Sequence, residues 1–191
     1  MKTNKWLPFL ALGALIFTSC SNDDDNPDPV HEEEVITTLT ITLTPDGGGT
    51  DVTLQSRDLD GNGPNEPEIT ITGNIVANTT YNGSIELLNE TEDPAEDITE
   101  EVEEEAEEHQ FFYSLTGDLG TITYTDTDGN GDPVGLLFTW ETAGLANGSL
   151  TVTLRHEPNK DAEGVSSGNI TNAGGETDIT QTFTINVVNL L

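Results

Sequence analysis

In VITTLTITLT (35–44), Leu39, Ile41 and Leu43 alternate with threonines, and this period of two recurs along most of the chain. Alternation sends successive side chains to opposite faces of an extended strand, so it predicts strands buried on one side. The pattern places them at 35–44, 50–57, 67–73, 82–91, 111–116, 119–126, 134–143, 147–157 and 176–189. Threonine is abundant in them, and its β-branch suits a pleated surface. Turn-forming clusters separate the strands: PDGGG (45–49), DGNG twice, Asn-Gly at 82 and 147, and NAGG (172–175). Many short strands with regular turns predict an all-β fold, an antiparallel β-sandwich of immunoglobulin-like type. A strand, a DxDGNG loop, a strand and an Asn-Gly-Ser strand opening occur twice, leading to Ser84 and to Ser149. This weak repeat predicts two related β units within one sandwich. Leu136, Phe138 and Trp140 share one strand face, which assigns these aromatics to the core rather than to a sugar-binding surface.

One segment breaks the period. DPAEDITEEVEEEAEEHQ (93–110) carries Ala95, Ile98, Val102 and Ala106 as a narrow apolar stripe at helical spacing. Asp93 as N-cap, Pro94 at N1 and Glu96 at N3 predict where this inserted acidic helix starts. Its remaining positions are nearly all acidic. Pairs such as Glu100/Glu104 and Glu104/Glu108 repel at i,i+4, each costing about 0.2–0.5 kcal/mol. Such a helix needs tertiary support or a cation.

The first twenty residues change the picture from fold to address. Lys2 and Lys5 precede the apolar run WLPFLALGALIF (6–17), which is too short to span a bilayer and reads as a signal peptide. Cys20, the only cysteine, follows in FTSC. This junction resembles a bacterial lipoprotein signal, which implies lipidation of Cys20 and attachment to a membrane through that lipid. The acidic run SNDDDNPDP after it cannot bury enough apolar surface to order itself. It resembles the export signal of Bacteroidetes surface lipoproteins, which implies the outer face of the outer membrane; a plain spacer implies the periplasmic face. The expected organisation is therefore a signal peptide at 1–19, an acidic tether at 20–34 and one β-sandwich domain at 35–191. The mature chain of about 170 residues is long enough for one proper core. With a net charge of −31 and only Arg57, Arg155 and Lys160 as basic residues beyond the signal, charge-driven binding to nucleic acid is excluded. Metal cations and basic protein surfaces remain as charged partners.

Candidate chemistry lies in three places. Asp58, Asp60 and Asn62 in the first DxDGNG loop present oxygen ligands at alternate positions, as calcium loops do. Asp126, Asp128 and Asn130 repeat them in the second, where Asp132 could close the shell; Glu66 or Glu68 could do so in the first. Ile69 and Leu137 occupy the place of an EF-hand's bidentate glutamate, so neither loop is an EF-hand. Asp-Gly and Asn-Gly also simply favour tight turns. Third, Glu105 and His109 at i,i+4 on the acidic helix could pair around zinc or a similar metal. His156 with Glu157, and His31 with Glu32–Glu34, complete such a site only if the fold brings them near. No nucleophile elbow, HExxH pair or phosphate-cradling glycine loop is present, and no catalytic residue is assigned.

The stretches LLNETEDPAEDITEEVEEEAEEHQFFY, TYTDTDGNG, LTVTLRHEPNK and GNITNAGGETDI resemble those of small flavobacterial lipoproteins labelled "type 1 periplasmic binding fold superfamily protein". That label implies two α/β lobes; the residue pattern implies one β-sandwich. The resemblance implies no activity. The functional expectation is a non-enzymatic cell-surface lipoprotein that binds a cation or a protein, as an accessory to an outer-membrane receptor importing metal. The alternative is a calcium-dependent adhesion or carbohydrate-binding module.

Overall fold

The computed structural model describes residues 34–61 and 65–190, which fall within one compact unit. The signal peptide, Cys20, nearly all of the tether, His31 and Asn62 lie outside the described residues. Among the described residues, eleven strands form two sheets. The strands are β1 (Thr38–Pro45), β2 (Val52–Arg57), β3 (Glu68–Thr72), β4 (Ile75–Val76), β5 (Thr80–Asn89), β6 (Glu96–Asp97), β7 (His109–Thr116), β8 (Gly120–Tyr124), β9 (Leu137–Thr142), β10 (Ala146–His156) and β11 (Glu176–Val188). One sheet runs β3-β2-β1-β5-β9-β8, with β6 beside the end of β5; the other runs β4-β11-β10-β7. Pairing is antiparallel except between β4 and β11.

The all-β sandwich predicted from alternation is the observed fold, not two α/β lobes. Leu39, Ile41, Leu43 and Leu54 of the first sheet meet Phe111, Leu150, Val152 and Phe183 of the second in one core. Trp140 and Phe138 are fully inside it, and Trp140 Nε1 donates to the Leu119 carbonyl at 3.0 Å. Both DxDGNG loops close hairpins, β2–β3 and β8–β9, at opposite edges of the larger sheet. The likeness ends there, because Ser84 lies in the middle of β5 within that sheet and Ser149 lies within β10 in the other.

The acidic segment departs most from expectation. The helix, α1, covers only Ile98–Glu104, and its N-cap is Asp97, whose side chain accepts from Thr99 N, instead of Asp93. Glu96 and Asp97 pair with β5 before the helix starts, so ladder hydrogen bonds outcompete a longer helix there. Ile98 and Val102 drive one face into the core, and Thr99 Oγ1 accepts from Leu87 N on β5. Beyond Glu104 come Glu105, Ala106, Glu107 and Glu108, and repulsion among the carboxylates opposes extension of the helix. The chain turns through 105–108, and His109 opens β7.

Candidate metal centre

β7 and β10 lie side by side in register, with Leu115 opposite Leu150, Tyr113 opposite Val152, Phe111 opposite Leu154 and His109 opposite His156. The alternation that buries the apolar residues therefore carries both imidazoles to the inner face at one end of the sandwich. Their rings stack with centroids 4.7 Å apart. β11 adds an acid. The register between β10 and β11 slips after Leu154, which faces Ile179, while Arg155 faces Thr177. Asp178 is the extra residue of this β-bulge, and a bulge re-aims a side chain. Here it turns the carboxylate inward, where its side chain is 1% exposed. Glu34, four residues ahead of β1, closes the cluster with a side chain 8% exposed. Glu34 thus belongs to the domain, and the expected tether boundary after residue 34 moves back by at least one residue.

Glu34, His109, His156 and Asp178 each offer one ligand atom, and these atoms lie within 4.8 Å of one another. His109 Nε2 stands 3.7 Å from Glu34 Oε1 and 4.0 Å from Asp178 Oδ2; His156 Nδ1 stands 3.9 Å from Asp178 Oδ1. These separations exceed hydrogen-bond length. A zinc tetrahedron with bonds of about 2.0–2.1 Å has edges of about 3.3 Å, so they lie within about 1 Å of what four ligands require. This buried Glu/His/Asp cluster could hold a metal ion.

The other nitrogen of His109 sharpens the case. Nδ1 lies 3.2 Å from the Glu105 carbonyl, an acceptor that needs Nδ1–H. In the neutral imidazole that places the lone pair on Nε2, facing the cluster. His109 Nε2 and Glu34 Oε2 are sealed from water with no hydrogen-bond partner among the described residues. Buried polar atoms ordinarily have one. Burial pulls the His109 pKa down, but the Glu34 carboxylate, the Glu105 carbonyl and Asp178 together raise it above the ordinary value. The His109 contact holds the Glu34 carboxyl below its usual range against the opposing effect of burial. The pocket favours positive charge.

Several predicted site residues lie elsewhere. Glu105 contributes its carbonyl to His109 rather than its carboxylate, because the two residues do not share a helix. In the second DxDGNG loop, Asp126 accepts from Gly135 N and Leu137 N. Asp128 Oδ1 accepts from Asn130 N, Gly131 N and Asp132 N, and Oδ2 receives the Lys160 ammonium at 2.8 Å. Lys160 Nζ also donates to the Ala106 and Pro133 carbonyls. Backbone donors and a buried ammonium thus occupy the Asp126 and Asp128 oxygens expected to bind calcium, and these bonds brace the turn. Asn130 and Asp132 line an open cleft of about 500 Å³ with Glu107 and Asp161. In the first loop Asp58 Oδ1 accepts from Asp60 N, and Asp60 Oδ2 from Asn65 Nδ2.

Sequence reasoning singled out His109 and named His156 and Glu34 conditionally; it missed Asp178. A signal for the histidines was present, since each continues an inward apolar column, Leu150-Val152-Leu154-His156 and His109-Phe111-Tyr113-Leu115. No such signal marks Asp178, whose inward aim depends on the bulge. No protein-family model matches the chain, and comparison with curated proteins and with solved structures finds no match.

Proposed function

We propose that this protein is a non-enzymatic, exported and lipid-anchored metal-binding β-sandwich. It holds one divalent transition-metal ion, with zinc the best chemical match, between Glu34, His109, His156 and Asp178. The observation that carries this reading is the buried His109 Nε2, its lone pair aimed at two carboxylates by the Glu105 carbonyl behind the ring. Two imidazoles and two carboxylates suit zinc or a neighbouring first-row metal. Calcium takes six to eight oxygens and would gain little from the nitrogens. Cys20 and the acidic stretch after it support placement at the outer membrane, where a metal-import receptor is the natural partner. The calcium-dependent adhesion reading is weakened by the braced second loop and by the burial of Trp140, Phe138 and Phe112.

The test is the melting temperature of the metal-stripped full chain with zinc or calcium added, since an ion that binds only the native state raises it. Zinc is expected to raise it, and His109→Ala to abolish the rise. Zinc at 100 times its dissociation constant would add about 2.7 kcal/mol of stability. A calcium response lost in Asp60→Ala, without a zinc response, would refute the assignment.

A further inference from the structure

His156 faces two sets of carboxylates. Nδ1 points inward at Asp178, whose side chain is 1% exposed. Nε2 stands 3.8 Å from Oε2 of Glu108, whose side chain is 50% exposed. Glu108, His156 and Glu157 form a second group of ligand atoms within 4.8 Å of one another. The two acids are held together by their backbones, with Glu157 N donating to the Glu108 carbonyl at 2.7 Å. One imidazole therefore joins a buried ligand set to a surface one.

Resting on the proposed metal centre, we infer that Glu108 and Glu157 form an outer metal position that shares His156 with the inner cluster and passes the ion between solvent and core. A neutral imidazole has one lone pair, so His156 serves one position at a time. The two positions are alternatives on one route, and the chain carries one ion. The outer carboxylates attract a hydrated cation and replace part of its water shell. Transfer to Asp178, Glu34 and His109 moves the ion from Nε2 to Nδ1, so the imidazole changes tautomer, releasing its Nδ1 proton to water as the metal bond forms there and taking a proton at Nε2 from the solvent side as the outer bond breaks. Immediately upstream of Glu108, Glu105 and Glu107 in the turn through 105–108 add negative charge, which raises the local cation concentration. Such a site suits an exchangeable cargo ion rather than a permanent structural one.

The experiment loads the full chain with zinc and follows uptake and release against a fluorescent zinc chelator by stopped flow. The variants are Glu108→Gln, Glu157→Gln, their double, and Asp118→Asn as a charge control in the turn after β7, at the far end of that strand from His109. The expected result is one zinc per chain throughout. In the double variant uptake and release both slow, by about tenfold, with affinity changed far less, while the control stays near the wild type. Exchange rates in the double variant equal to those of the control would overturn the inference and leave the buried centre standing. Two zinc ions per wild-type chain, one lost in the double variant, would overturn the sharing of His156. A wild-type chain that takes up no zinc would refute the buried centre itself, and this route with it.

Discussion

Lys160 shows how one residue decides what a loop is. Its ammonium is buried against the Asp128 carboxylate and the Ala106 and Pro133 carbonyls. Burial alone would raise the Asp128 pKa, but the lysine and the loop N–H groups hold it below the usual carboxylate range. Breaking a buried pair from one side leaves the other charge uncompensated, so Lys160→Met should cost about 3–5 kcal/mol in urea denaturation. The double variant with Asp128→Asn should cost less than the sum of the two single changes, because the groups are coupled. A DxDGNG motif is legible in sequence, but the lysine that fills it comes from 32 residues downstream. His109 is the converse case. Its identity drew attention in the sequence, yet the role of Glu105 beside it was misread, because the helical spacing between them does not exist in the fold.

At the scale of elements, the metal centre depends on the end of the β10–β11 pair. Gly175 has φ of +66°, and a Cβ there would stand 2.1 Å from the His156 carbonyl oxygen. Gly175→Ala should therefore push β11 away from β10 where His156 and Asp178 are set. The expected outcome is a lower melting temperature together with at least a tenfold loss of zinc affinity, read by calorimetric titration; second-layer changes commonly cost 10–100-fold. Unchanged affinity in a destabilised variant would show that the bulge tolerates displacement. The helix teaches a related lesson. Its apolar stripe was legible through Ile98 and Val102, which are indeed buried. Its length was not, because pairing of Glu96 and Asp97 with β5 overrides capping signals at Asp93 and Pro94.

Across the whole molecule, excess acid is managed by a few well-placed bases. Arg57 at the end of β2 forms a two-pronged pair with Glu90 beyond β5, at 2.8 and 2.6 Å, and Thr38 at the start of β1 donates to the same carboxylate. Arg57, with Thr38, brings the Glu90 pKa down to about 2. The unfolded value is about 4.3, so the pair's contribution is complete above that pH and is lost as the pH falls through about 2. Wild-type melting temperature should fall over that interval, and Glu90→Gln should flatten part of the decline. The effect is modest because Arg57 and Glu90 retain solvent contact. This clamp spans β2, β1 and β5 at the end where β1 leads back to Glu34.

The sequence by itself determined the all-β class, the nine main strands and the core identity of Trp140 and Phe138. Each follows from local alternation, which needs no knowledge of distant neighbours. Only the tertiary structure decided that Glu34, His109, His156 and Asp178 meet, that Glu105 serves through its carbonyl, and that Asp128 belongs to Lys160. These depend on strand register, on a bulge of one residue and on contacts between segments far apart in the chain. A shift of one residue in register would turn the same side chains to the opposite face.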